Sequence, residues 1–390
     1  MKTSVLFLAA TMVVAACTSQ QESSDEIEII LPDESRNDTA FYKAIKSIEV
    51  IDLEVDTNHF YVDGADLRVS PNYYYFVNNR NPHLACYDKA TGKVQFSRTI
   101  AGRSRAECNV IYSSFVMGDT IVLNDIGVLK MYDHTGKFLG TLNDTAVWTK
   151  YLLPLGDGYI ACDFGGSPYS RNRSKCLTLF DKNFNAGESF FKLPKLYKAF
   201  AHYHISNSSP NVYMFNDTLR FCAQNSFKLH SFPDGKTYHF IAPNPIPESL
   251  IKNPDDINFS LSLRDKGYAM EFQGLVENQD YIMFKYVMDM RRYGVLYSKR
   301  DNKVYGLGGY FEYDTSADIW KSIVGGSDFI YSDGKYFYAR AFHNAYSIFE
   351  KYNDLLDDRQ RAIYDTMQAR LARSEDKDFR FYYKYEMAKE

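Results

Sequence analysis

Residues 129–142 read LKMYDHTGKFLGTL. An alternating apolar segment ends on an aromatic, and Asp133 opens a short polar turn with Gly136. A second apolar segment follows. The pattern also stands upstream, as LACYDKATGKVQF (residues 84–96), and downstream, as LTLFDKNFNAGESF (residues 177–190). An Asp side chain can accept hydrogen bonds from turn amides, and Gly takes positive φ without a Cβ clash, so each copy predicts a β-hairpin. The third copy puts Asn or Phe where the others have Gly. A fourth, KLHSFPDGKTYHF, turns on Asp234-Gly235, and a fifth, GVLYSKRDNKVYGL, turns on Asp301-Asn302.

Another strand pattern precedes each hairpin: NYYYFVNN, DTIVLND, GYIACDF, DTLRFCAQ and DYIMFKY. The unit is therefore one or two inner strands followed by an outer hairpin. Tyr87, Tyr132 and Phe180 recur 45 and 48 residues apart, and later spacings stretch through insertions. A period near 45 residues with about four strands predicts the blades of a β-propeller. Ring packing covers the blade faces, and closure protects the ends. Around Asp333-Gly334, SDFIYSDGKYFYARAF supplies a sixth hairpin, and FRFYYKYEM another strand. The leftover early strand SIEVIDLEV, Ser47 to Val55, is expected to complete the last blade. Within that blade, Tyr352, Leu355, Leu356, Ile363, Met367 and Leu371 recur at helical spacing, which predicts a helical insertion over about 350–375. The expectation is an all-β, six-bladed propeller of four-stranded antiparallel blades over residues 45–390. A seventh blade stays open in the insertion after Ile241.

Composition agrees with a folded chain: of 390 residues, 45% are hydrophobic and 24% charged. Tyr (32) and Phe (28) far outnumber Trp (2), which favours half-buried pleated surfaces. A net charge of -4 argues against a nucleic-acid partner.

The N-terminus MKTSVLFLAATMVVAAC has Lys2, a short apolar run and small residues before Cys17. The run has signal-peptide length and is too short for an ordinary membrane span. VVAAC resembles the lipobox of bacterial lipoproteins, which implies a signal peptide over 1–16 and lipidation at Cys17. Residues 17–44 are expected to be a polar, acidic tether. The acids after Cys17 are similar to the surface-export signal of Bacteroidetes lipoproteins, and periplasm and surface both stay open. Five cysteines remain, an odd number. A Cys162–Cys176 bridge is possible on neighbouring strands, but buried free thiols are expected, because a chain this large needs no staples.

The lipobox, SIEVIDLEV and the Tyr-Asp-x-x-Gly-Lys blades together resemble the six-bladed β-propeller lipoproteins of Bacteroidetes, which are TolB-like or NHL-like propellers. That resemblance implies a lipoprotein of the cell envelope, anchored at the outer membrane on its periplasmic or surface side; most of the family has no assigned activity, and it is the absence of catalytic motifs that favours a non-catalytic binding or scaffold role. The family often carries G-x-G-P-G-E after its first blade. Here Gly102-Arg-Ser-Arg-Ala-Glu107 keeps the first Gly and the Glu and lacks the Pro.

No catalytic motif is present: no Gly-x-Ser-x-Gly elbow, zinc helix or phosphate loop. SDGKYF near Ser332 is similar to a sialidase Asp-box without its Trp. His202 and His204 offer two ligands without a third. Asp88, Asp133, Asp181 and Asp234 are accounted for by turn geometry. Neither a metal nor a cofactor is expected, and the chain is read as a monomer. Propeller topology sends second-to-third-strand loops and inter-blade loops to one face. Arg80, Arg171, Arg173, Arg291, Arg292 and Arg340 fall in the first set, and Arg103 and Arg105 in the first inter-blade loop. Asn79, His83, Tyr293 and His343 accompany them. Arginine forks bind carboxylates, so these residues are the candidate mouth for an anionic ligand, glycan, peptide or protein partner. A propeller enzyme acting on glycans, as hydrolase or lyase, is the alternative.

Overall fold

The computed structural model describes residues 25–32, 39–54, 65–79, 81–143, 146–164, 166–192, 212–222, 226–252, 263, 266–289, 291–310, 319–341, 345–373 and 381–388. The hairpin turns form as their chemistry requires. Asp88 Oδ1 accepts from Ala90 N (3.1 Å), Thr91 N (2.8 Å) and Thr91 Oγ1 (2.8 Å). Asp133 does the same for Thr135 N and Lys137 N, and Asp181 for Asn183 N and Asn185 N. Gly92 sits at φ +68° with Asp52 O where a Cβ would stand, so the chain entering the first blade presses on this turn. In the third copy Phe184 takes the left-handed position at φ +62° and stacks on Tyr159 at 4.4 Å.

Among the described residues, two strands precede the first blade, β1 (Glu26–Ile30) and β2 (Ile45–Val50). Blade 1 is β3 (Asp66–Val69), β4 (Tyr73–Asn78), β5 (His83–Asp88) and β6 (Val94–Thr99). Blade 2 is β7 (Ile111–Met117), β8 (Thr120–Asp125), β9 (Val128–Tyr132) and β10 (Phe138–Thr141). Blade 3 is β11 (Tyr151–Leu155), β12 (Gly158–Cys162), β13 (Lys175–Phe180) and β14 (Ala186–Lys192). Blade 4 is β15 (Val212–Phe215), β16 (Thr218–Phe221), β17 (Lys228–Phe232) and β18 (Thr237–Ile241). Blade 5 is β19 (Met270–Glu277), β20 (Tyr281–Met288), β21 (Arg291–Ser298) and β22 (Lys303–Tyr310). Blade 6 joins β23 (Asp328–Ser332), β24 (Tyr336–Arg340) and β25 (Tyr382–Met387) to β2. The fold is thus a six-bladed propeller of four-stranded antiparallel sheets. The insertion after Ile241 supplies the first strand of blade 5 and, among the described residues, no seventh blade.

The closing strand runs Ile45–Val50, a little earlier than its expected span. It pairs antiparallel with β25, from Ile45↔Met387 to Val50↔Tyr383. The stretch expected to be a tether also holds structure. Within it, β1 adds a fifth strand to blade 4, parallel to β18. Alternation explains the docking: Ile29 and then Leu31 are buried with Tyr238 and Phe240, while Glu28 and Ile30 face out. Helix α1 (Thr39–Lys43) follows and buries Phe41.

The core lies between blades. Phe240 of blade 4 meets Phe272 and Phe284 of blade 5, which stack at 4.1 Å. Tyr74, Tyr338 and Tyr382 fill the seam between blades 6 and 1. Rings of this size carry much of the buried apolar area, which accounts for the composition. All five described cysteines are free and buried, Cys162 and Cys176 included.

Among the described residues, three more helices are α2 (Ile319–Gly326), α3 (Ala345–Lys351) and α4 (Asp358–Leu371). The last two, with a 3-10 turn at Asn353–Leu355, realise the expected helical insertion. Asp357 and Gln360 form a capping box at the start of α4. Ile363, Tyr364 and Met367 are buried in the cluster that also holds Ile45 and Val50 of β2. Among the described residues no helix is long and apolar enough to cross a membrane.

Candidate functional site

The first strand of each blade lines the axis. Residues of β3, β7, β11, β15, β19 and β23 together enclose a cavity of about 680 Å³, a size suited to a small ligand. Inner strands expose one unpaired backbone edge to this space, and side chains from neighbouring blades cap part of it. Arg68 Nε donates to Ser114 O (2.8 Å), and Ser332 Oγ to Glu277 O (2.6 Å). The wall is aromatic and hydroxylic: Tyr112, Tyr151, Tyr213, Phe215 and Tyr331 stand among Ser113, Ser114 and Ser332. Burial pushes the phenols of Tyr151, Tyr213 and Tyr331 above their ordinary value, so they are neutral hydroxyls at pH 7.

The charged groups fall into three sets. On the blade 1 wall, Asp66 Oδ2 accepts from Asn79 Nδ2 (2.7 Å) and lies 3.9 Å from Arg68 Nη2. At the other end Glu277, 1% exposed, accepts from Tyr213 OH (2.8 Å), Arg220 Nε (3.1 Å) and Lys299 Nζ (2.7 Å). Beside blade 3, Asp163 accepts from Thr149 Oγ1 (2.7 Å) and Lys150 N (3.0 Å). Burial raises the Asp163 carboxyl and lowers the Lys150 ammonium from their ordinary values.

The loop residues anticipated from sequence have separate placements. Asn79 lines the cavity. Arg103 and Arg105 are exposed in the loop between blades 1 and 2, and Arg171 and Arg173 are exposed on a 3-10 turn between β12 and β13. Arg291 and Arg292 open β21, and Arg340 ends β24. Arg292 and Arg340 both pair with Asp328, at 3.6 and 3.1 Å. Burial would raise that carboxyl, but Lys285, Arg340 and Arg292 together hold it below its ordinary value. His83 bonds Ser97 Oγ across blade 1 (2.8 Å). Tyr293 is buried inside β21, stacked on Tyr286 at 5.1 Å, rather than in a loop. Arg80, His343, Cys17, His202 and His204 lie outside the described residues.

Sequence reasoning missed the wall itself. Asp66 and Arg68 sit two apart on β3, and an isolated strand does not announce which face meets the axis. It also missed an aromatic rim. Trp148 is 62% exposed, its amide bonded to Tyr169 OH (2.8 Å), and Val110 and Tyr112 are exposed at the start of β7. All four belong to inter-blade or second-to-third-strand connections or the strand start beside them, which puts them at one end of the cavity.

The chain matches no protein-family model, and no curated protein is similar to it in sequence. Among solved structures it is similar to a proposed exported protein of Bacteroides fragilis NCTC 9343. The TM-score is 0.69 and the identity 16%, over 93% of this chain and 100% of that one. A member of the duf4221 family from Bacteroides vulgatus aligns over 88% of this chain and 99% of that one, with a TM-score of 0.47 and 9% identity. The first likeness is one of fold: a chain of other sequence closes the same kind of ring.

Proposed function

We propose that this protein is a lipid-anchored propeller of the cell envelope that binds a small charged ligand in its axial cavity and does not transform it. The carrying observation is the cavity itself: all six inner strands enclose it, and its wall offers rings, hydroxyls and one arginine. Its carboxylates support binding over chemistry. Glu277 accepts from three side chains, Tyr213, Arg220 and Lys299, and Asp66 from Asn79, so both carboxylates are committed to hydrogen bonds within the wall. The envelope reading draws on VVAAC after a short apolar run and on a fold neighbour described as exported.

Two results are expected. Val116→Trp places an indole on the half-buried cavity wall. It should abolish the thermal shift that a ligand from a panel of acidic glycans, sugar acids, peptides and amino acids gives the wild type; because Val116 also packs against the core between blades 1 and 2, the unliganded melting point should fall by a few degrees while the melt stays cooperative. A shift that survives the variant, or release of reducing ends from the glycans, would sink the reading. Cys17→Ala should move the protein from the membrane fraction to the soluble one with its melting curve intact, because stable anchoring needs acyl chains. Continued membrane association at high salt would refute the anchor.

A further inference from the structure

One patch of the cavity wall holds open donors and open acceptors side by side. Asp66 and Arg68 are two residues apart on β3, so both project from one face of the strand. Asp66 is opposite Val77 in the β3–β4 pairing, which brings Asn79, just past the end of β4, next to Asp66. Arg68 bonds Ser114 O through Nε (2.8 Å) and Leu67 O through Nη1 (2.7 Å). A guanidinium has five N–H donors, and those two bonds leave both N–H groups of Nη2 and one of Nη1. Asp66 Oδ2 takes the Asn79 amide, and its distance of 3.9 Å from Arg68 Nη2 is too long for a hydrogen bond. Asn79 Oδ1 and Ser114 Oγ are buried without a hydrogen-bond partner, and Ser114 is 3% exposed. Buried polar atoms are rarely left unpaired, and these two belong to residues lining the cavity.

Resting on the axial-cavity reading above, we infer that this patch is a recognition site for the zwitterion of a free α-amino acid. The ligand carboxylate lies on the Nη groups of Arg68, with the Ser114 hydroxyl as a further donor. The ammonium lies between the carboxylate of Asp66 and Asn79 Oδ1. The side chain points into the lumen among Phe115, Tyr151, Tyr213 and Tyr331, so an apolar or aromatic one fits best. Asp66 decides between ligand classes. A ligand that is only an anion would meet a carboxylate beside its arginine, and like charges at that distance repel. A zwitterion satisfies both. Its charges must also be on neighbouring carbons, because Asp66 and Arg68 approach to 3.9 Å. The two ends of a peptide are set too far apart.

The test is calorimetry on the full chain with L-phenylalanine, L-leucine, N-acetyl-L-phenylalanine, L-phenylalanine amide and D-glucuronate. The free amino acids should bind, and blocking either charge should weaken binding about tenfold or more. Asp66→Asn should erase the preference for the free over the N-acetylated form, a ratio that a purely structural role would not move. Arg68→Lys keeps the charge and loses the fork, and should weaken all carboxylate-bearing arms alike. N-acetyl-phenylalanine or glucuronate binding as tightly as phenylalanine overturns the inference. So does an unchanged ratio in Asp66→Asn, or no heat from either free amino acid at millimolar concentration. If glucuronate binds and Val116→Trp abolishes that binding, the cavity reading stands while this one falls.

Discussion

A chain that starts at residue 51 should not fold, whereas one that starts at residue 39 should melt cooperatively at a reduced temperature. The difference between them is α1 and β2. The last blade is built from both ends of the sequence, since β2 is the outer partner of β25 and α4 rests on it. Phe41, Ile45 and Val50 are all buried in the cluster shared with α2, α3 and α4. Full burial of such side chains contributes about 1.5–3 kcal/mol each, so the three together supply roughly 5–9 kcal/mol. A domain's whole net stability is about 5–15 kcal/mol. Their removal also leaves the edge of β25 open, a site for pairing between chains. Among the described residues, starting at residue 39 removes β1 and its flanks, with Ile29 and Leu31 as the buried anchors. Circular dichroism melts of both truncations check this. A chain from residue 51 that melts cooperatively near the full-length temperature would mean that ring closure does not depend on β2.

The parts of the fold that were legible in sequence are those whose cause is local. A carboxylate that bonds amides two to four residues away, with a glycine at positive φ in the turn, is written into DKATG and DHTG whatever surrounds them. The closing strand was legible because a ring with one strand missing needs one, and SIEVIDLEV was left over. What was not legible depends on distant partners. β1 reads as part of an acidic tether, since EIEII finds its role only against a strand some 200 residues on. Sorting arginines by loop sends Arg292 and Arg340 to a ligand mouth, yet both meet Asp328, Arg340 from the neighbouring strand of blade 6 and Arg292 across from blade 5. Tyr293 looked like a loop residue beside two arginines, and it alternates into the core instead. The cavity wall was hidden for the same reason: Asp66 and Arg68 alternate as any strand residues do, and only the ring turns that face toward the axis.

Glu277→Ala should destabilise the protein by about 3–5 kcal/mol, because it leaves the buried Arg220 and the half-buried Lys299 without their shared counter-charge. At roughly 2 °C per kcal/mol for a domain of this size, the melting point should fall by about 6–10 °C. Glu277 ends β19, and its side chain is fully buried between blades 4 and 5. Arg220 reaches it from β16, braced between Phe215 and Tyr238, and Lys299 from the turn after β21, over the ring of Phe215. The arginine has a second carboxylate, Asp234, only at 3.9 Å and on the surface. The pH dependence follows from Lys299. Burial lowers its pKa below 10.5, against the pull of Glu277. The unfolded chain therefore holds that proton more tightly, and stability rises with pH between the folded pKa and 10.5. Removing Glu277 lowers the folded pKa further and widens that window downward, so the deficit of Glu277→Ala should narrow as pH is raised toward 10. Lys299→Met supplies the second arm. Alone it should have a small effect, since Arg220 still neutralises Glu277; added to Glu277→Ala it should recover part of the loss, a coupling that a double-mutant cycle reads directly. Strict additivity of the two substitutions would show that the lysine and the glutamate do not act as one buried network.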